Sequence, residues 1–136
     1  MINDWVVDCE SKVFTIAKAL MEDDLRTLFP RIRFTTSDES STEPVFPTVY
    51  MHQIPSAETD ADMNSSDVNA IIVNMRVAIT VNTTKKDLKK IMLYVMDAFK
   101  KMHFRVTSSF DVDTKANMYS AIIEFRRSLG SEDELI

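Results

Sequence analysis

The chain holds one glycine, Gly130, among 136 residues. Loops that cradle phosphates need several glycines so that the backbone can approach the anion, and this composition excludes nucleotide binding of the P-loop or Rossmann kind. There is one cysteine, Cys9. No intrachain disulfide can form, and its place in an apolar pattern reads as a small buried hydrophobe in a reducing cytoplasm. Nothing in the sequence approaches the roughly 20 consecutive apolar residues of a membrane span. Residues 1–8 carry acids and no basic region, so a signal peptide is not expected. Positive charge is in deficit: 16 Lys and Arg against 21 Asp and Glu give a net charge of −5 and a pI near 5.0. A dedicated nucleic-acid binder needs a basic surface to displace counterions, which argues against that class while leaving a protein that lets nucleic acid pass.

What is present is ordinary globular material, 45% hydrophobic and 27% charged. That is enough for one domain to bury a core without disulfides or a structural metal. Residues 1–130 are expected to form the domain, and the acidic residues 131–136 a frayed, flexible tail.

Periodicity sets the order of elements. Val6, Cys9, Val13, Ile16 and Leu20 recur at helical spacing, widened by Val7, Phe14 and Met21. Asn3 or Asp4 can cap that helix, and Pro30 stops it after Leu28 and Phe29. A short strand is expected at 31–35, then a polar loop at 37–44 and a second strand at 45–53. Pro47 cannot donate to a ladder, so this second strand is expected at an edge or at a bulge. Residues 55–69 form a long polar loop with no apolar anchor. Residues 70–81 alternate strictly, with Ile71, Val73, Met75, Val77, Ile79 and Val81 on one face. A second helix is expected over 85–102, with Thr84 and Asp87 as a capping-box-like pair. Its stripe is Leu88, Ile91, Met92, Val95, Phe99 and Met102. Phe104, Val106 and Phe110 alternate in a fourth strand. A turn at 111–117 leads to a fifth, in which Tyr119, Ala121, Ile123 and Phe125 alternate before Arg126 and Arg127. The expected fold is α+β: one mostly antiparallel, mixed sheet of about five strands with two helices packed on one face.

No chemistry emerges from spacing. His52 and His103 stand on different strands with no cysteine or acid at ligand spacing. Asp60, Asp62 and Asn64 open like a calcium loop, but Ser65 and Ile71 occupy the positions of the required glycine and bidentate glutamate. No nucleophile–base pair is recognisable. No metal, cofactor or catalytic residue is therefore expected. One charge pattern conflicts with local physics: Lys85, Lys86, Lys89 and Lys90 crowd a helix start, where the dipole disfavours cations. They are either a solvated face or partners for acids on a neighbouring subunit, with Asp60, Asp62 and Asp67 in the acidic loop as the natural counterpart. Arg126 and Arg127 point to opposite faces of their strand, so one is free to pair within the fold or across an interface.

The whole pattern resembles the tail terminator (tail completion) proteins of long-tailed bacteriophages and related prophages, over residues 2–128. Four features carry the likeness. The first helix leads into Leu28-Phe29-Pro30, and Phe46-Pro47-Thr48-Val49-Tyr50 looks like the family's second strand. The long strand Ile71 to Val81 precedes a helix with Leu88, Val95, Met96, Asp97 and Phe99. Met102-His103-Phe104-Arg105, Asp111 and the strand from Tyr119 to Arg127 resemble the closing hairpin. One departure is His103, where the family often has glycine before the hairpin's aromatic.

The resemblance implies a non-enzymatic virion protein that caps the tail tube as a homo-hexameric ring. The ring would end tube polymerisation and join the tail to the head. Its partners would be itself, the tail tube protein and a head-side connector protein. DNA would pass through without specific binding, and no membrane would be involved. The protein would assemble in the host cytoplasm and end in the virion at the neck. Ring closure needs a heterologous contact between two different patches. Phe46, Pro47 and Tyr50 on the expected edge strand, the acidic loop, the lysines and the two arginines are the candidate interface. Competing readings are a head-side adaptor or stopper, a monomeric α+β binding module, and an enzyme whose groups meet only in the fold.

Overall fold

Alternation and helical spacing resolve into packed elements in the computed structural model, which describes residues 8–36, 46–54, 70–113, 118–130 and 135. They are α1 (Cys9–Leu28), β1 (Arg33–Thr35), β2 (Thr48–Ile54), β3 (Ala70–Val81), α2 (Lys85–Lys101), β4 (Arg105–Asp113) and β5 (Tyr119–Gly130). The strands form one sheet in the order β1-β2-β3-β5-β4. β1 runs parallel to β2, and the other neighbours are antiparallel. Both helices contact this sheet, so the fold is α+β with a mixed five-stranded sheet among the described residues.

β3 is the spine. Its odd residues from Ile71 to Val81 are fully buried, and they meet Val49 and Met51 of β2 and Ala121, Ile123 and Phe125 of β5. Each such side chain contributes about 1.5–3 kcal/mol by leaving water. α2 closes over them with Leu88, Ile91, Val95, Ala98 and Phe99, at the spacing the sequence predicts. Phe99 stacks on Phe125 with centroids 4.2 Å apart and meets Phe104 edge-on at 5.3 Å. Thr84 caps this helix by accepting from the Asp87 N–H at 3.2 Å. The Asp87 carboxylate accepts from the Thr83 hydroxyl at 2.6 Å, so the reciprocal half of a capping box is replaced by a contact one residue earlier.

The end of α2 explains the departure at His103. The Phe104 N–H returns to Phe99 O and the His103 N–H to Lys100 O, both at 2.9 Å. This is a Schellman closure, with the Phe104–Phe99 ring contact supplying its hydrophobic part. His103 sits at the residue that takes the left-handed conformation, with φ 65°. Glycine adopts that conformation without cost, whereas an L-residue with a Cβ gives up about 1–2 kcal/mol.

Several expectations are corrected. The buried row of α1 is Cys9, Val13, Ala17, Met21 and Leu25, while Ile16 and Leu20 only flank it. Contact follows the four-residue ridge, with small Ala17 at its centre. Pro47 stands before β2 rather than inside it, and β2 is an interior strand between β1 and β3. Proline needs only its acceptor there: Pro47 O takes the Arg33 N–H at 2.9 Å. β1 covers β2 only from Thr48 to Tyr50, and beyond that the Glu10 carboxylate of α1 accepts the Gln53 N–H at 2.8 Å. β4 has an irregularity between Val106 and Ser108, so Phe110 is registered opposite Ile122 and not in step with Val106, which faces Phe125. β4 also runs on to Asp113, and β5 continues past Arg127 to Gly130.

The expected caps Asn3 and Asp4, the loops 37–44 and 55–69 and residues 114–117 lie outside the described residues, as do residues 131–134 and 136 of the expected tail. Leu135 of that tail is described and is fully buried with the core.

Candidate assembly surfaces

Alternation gives the sheet a second face, made of the even residues of β2, β3 and β5. Tyr50, His52, Ile72, Asn74, Arg76, Ala78, Ile122, Glu124 and Arg126 are half-buried there. Tyr50 stacks on His52 with centroids 4.5 Å apart. Arg76 donates through both Nε and Nη2 to Oε2 of Glu124, at 2.8 and 2.7 Å. Thr80 and Ser120 share a hydroxyl hydrogen bond of 3.2 Å. This face is therefore ordered by cross-strand pairs, with Ile72, Ala78 and Ile122 as apolar islands between them.

The second surface is the outer side of α2. Lys85, Lys86, Lys89 and Lys90 are all exposed at its start. Leu93 follows one turn later and is 67% exposed. It borders a shallow depression of about 300 Å³ with Tyr94 and Asp97. Toward the other end Asp97 pairs with Lys101 at 3.2 Å. The helix thus turns a basic, leucine-centred side away from the sheet.

The third surface is a recess of about 410 Å³ lined by Ile72, His103, Arg105, Arg126, Arg127 and Ser128. It lies at a step in the sheet: β4 begins at Arg105, opposite Arg126, while β5 runs on for four more residues to Gly130. Arg105 and Arg126 are thus direct cross-strand neighbours of like charge. Arg127 is fixed beside them. It donates to Met102 O at 2.7 Å and to Ser128 O at 3.0 Å, with its guanidinium 5.9 Å from the Phe104 ring centroid.

The sequence-predicted interface residues are thus distributed, not gathered. Phe46 is half-buried and Pro47 is buried within the chain, beside Tyr50 on the even face. The lysines share one helix end, and Arg126 and Arg127 share the recess although they leave β5 on opposite sides. Asp60, Asp62 and Asp67 lie outside the described residues. Sequence reasoning missed Arg105 and His103 as neighbours of Arg126, because strand pairing brings them together across about 20 positions of chain. It missed Leu93 although the signal was present: an apolar residue off the buried stripe.

Among the described residues no helix is long and apolar enough to cross a membrane. No group of three or more His, Cys, Asp and Glu side chains comes together among them. Cys9 is buried under α1, and burial pushes its thiol pKa up, with Lys12 opposing and Asp8 adding to the rise. No protein-family model matches the chain, and no curated protein matches it.

Proposed function

We propose that this protein is a ring-forming virion protein that caps the tail tube of a long-tailed phage, ends tube polymerisation and offers the head-joining surface. The reading starts from the sequence resemblance. The observation that supports it best is the segregation of surface chemistry on a small fold. One chain with net charge −5 carries a lysine-rich helix end and an arginine recess as separate basic surfaces. A head-to-tail ring requires unlike, complementary patches on each copy, and basic surfaces on an acidic chain supply one half of such a contact. An overall negative ring would also not retain DNA in transit, because it offers few cations for counterion exchange.

On this reading the protein works by shape and adhesion, without a chemical step. Its partners are other copies of itself, the tail tube protein and a head-side connector protein. It is made in the host cytoplasm and ends at the neck of the virion.

The test is electron microscopy of lysates after disruption of the gene. Overlong or headless tail tubes beside filled heads are expected. Tails of normal length that fail to join heads would assign the chain to the head-side adaptor instead. Wholly normal particles would overturn the connector reading altogether.

A further inference from the structure

The recess between β4 and β5 has features that the fold itself does not need. Arg105 and Arg126 are placed directly opposite each other in the ladder. Like charges in that position destabilise a strand pair. The nearest acid on that face along β5, Glu124, is held by Arg76 with both hydrogen bonds on one oxygen. Arg127 is pinned by two main-chain carbonyls and by Phe104. His103 stands at the rim in a backbone conformation that glycine would hold at lower cost. Local costs concentrated at one concave spot are the mark of a binding site.

The chemistry of the lining selects the ligand. Guanidinium groups present paired N–H donors that match a carboxylate in bidentate fashion. The volume of about 410 Å³ holds a few side chains. Beyond Arg126 the described strands leave one side of β5 uncovered by β4, where an extended segment can lie alongside. A chain with net charge −5 repels a polyanion such as nucleic acid at long range, while a short acidic segment reaches the recess with little penalty. Residues 55–69 fit that description, with Glu58, Asp60, Asp62 and Asp67 and no Lys or Arg.

We propose that the recess lined by His103, Arg105, Arg126 and Arg127 receives the acidic segment 55–69 of a second copy of this chain. The proposal rests on the ring reading for the identity of the partner. It gives the head-to-tail contact a donor segment and an acceptor site at different places on each copy.

The experiment adds a synthetic peptide of residues 55–69 to the isotopically labelled full-length protein and follows backbone amide signals by NMR. Shifts are expected at Ile72, His103, Arg105 and Arg126 to Ser128, fading as salt rises. A peptide with Gln and Asn in place of its acids should not bind. Arg105→Gln with Arg126→Gln should weaken binding about tenfold or more, the loss of roughly one charge-assisted contact. Arg126→Lys, which keeps the charge but not the fork, should fall between. Unchanged melting curves will show that the variants fold. No shifts in the wild-type protein would overturn the proposal, whether the recess refuses carboxylates or the chain's own segment fills it. Equal affinity in the double variant, or tighter binding of a single-stranded oligonucleotide at the same amides, would overturn it as well. Because the peptide is assayed without ring formation, failure here is distinct from failure of the ring reading, which the lysate images decide.

Discussion

Along β3, neighbouring residues meet different surroundings. Val73, Met75, Val77 and Ile79 are fully buried beneath the helices, whereas Ile72, Asn74, Arg76 and Ala78 between them are half-buried on the uncovered face. The first set can be satisfied only by close packing, and its members have no partner to gain outside the chain. The second set is held by cross-strand pairs that remain within reach of a neighbour. Stability and interaction are therefore separable in this fold by residue parity. The arginine recess sits where that parity is interrupted at the edge of the sheet.

The largest effect that could break this separation is expected at Phe99. It is fully buried between Phe125 and Phe104. Phe99→Ala should cost about 3–5 kcal/mol in denaturant unfolding. A loss near 1 kcal/mol would mean that the aromatic cluster is not central to the core.

A sharper comparison uses adjacent residues of one type. Ile123 is fully buried and Ile122 is half-buried on the other face. Ile123→Ala should cost about 2–5 kcal/mol. Ile122→Ala should cost about 1 kcal/mol or less, because the area it withdraws from water is smaller. Equal losses at the two positions would show that the even face is covered too.

His103→Gly should act in the opposite direction. Relief of the left-handed conformation should raise stability by about 1 kcal/mol, less the extra freedom glycine gains in the unfolded chain. A thermal melt of the variant checks the sign, and a destabilised variant would show that the imidazole itself holds the turn.

The Arg76–Glu124 pair should matter less still. Their side chains are 41% and 22% exposed, so solvent screens the attraction. A double-mutant cycle should return about 0.2–1 kcal/mol of coupling. A value of several kcal/mol would place the even face in a drier environment than its exposure indicates.

The last contrast appears only in alkali. Burial raises the Cys9 thiol above its ordinary 9.0, so the folded state prefers the protonated form. Below pH 9.0 the thiol is protonated in both states, and the contribution is fully present. As the pH climbs through the folded value, the unfolded chain gains stability by ionising first, and the contribution is lost. Wild-type stability should therefore fall faster than that of Cys9→Ala above about pH 9. Parallel pH profiles of the two proteins would show that the thiol is not desolvated.

Much of this was legible along the chain because it depends on local spacing. The twelve-residue alternation of β3, the stripe of α2, the Thr84 cap and the stop at Pro30 all follow from neighbours within a few residues. Where the reading strayed, the deciding contact was distant. Ala17 replaced Ile16 at the centre of the α1 stripe because the packing ridge is chosen by the surface beneath it. Pro47 suggested an edge strand, but its carbonyl is taken by Arg33, which makes β2 interior. The irregularity after Val106 changed the register of β4 without any glycine to announce it.

The sequence by itself determined which residues are helix and strand, in what order, and which side of each element seeks the core. Hydrophobic periodicity and backbone sterics act over a turn of helix or a pair of strand residues, so they can be read in place. Only the tertiary structure decided that Arg105, Arg126, Arg127 and His103 share one recess, that Glu10 closes the open end of β2, and that Leu135 reaches the core. Those outcomes depend on strand register and chain return, which are fixed by the simultaneous packing of elements far apart in the chain.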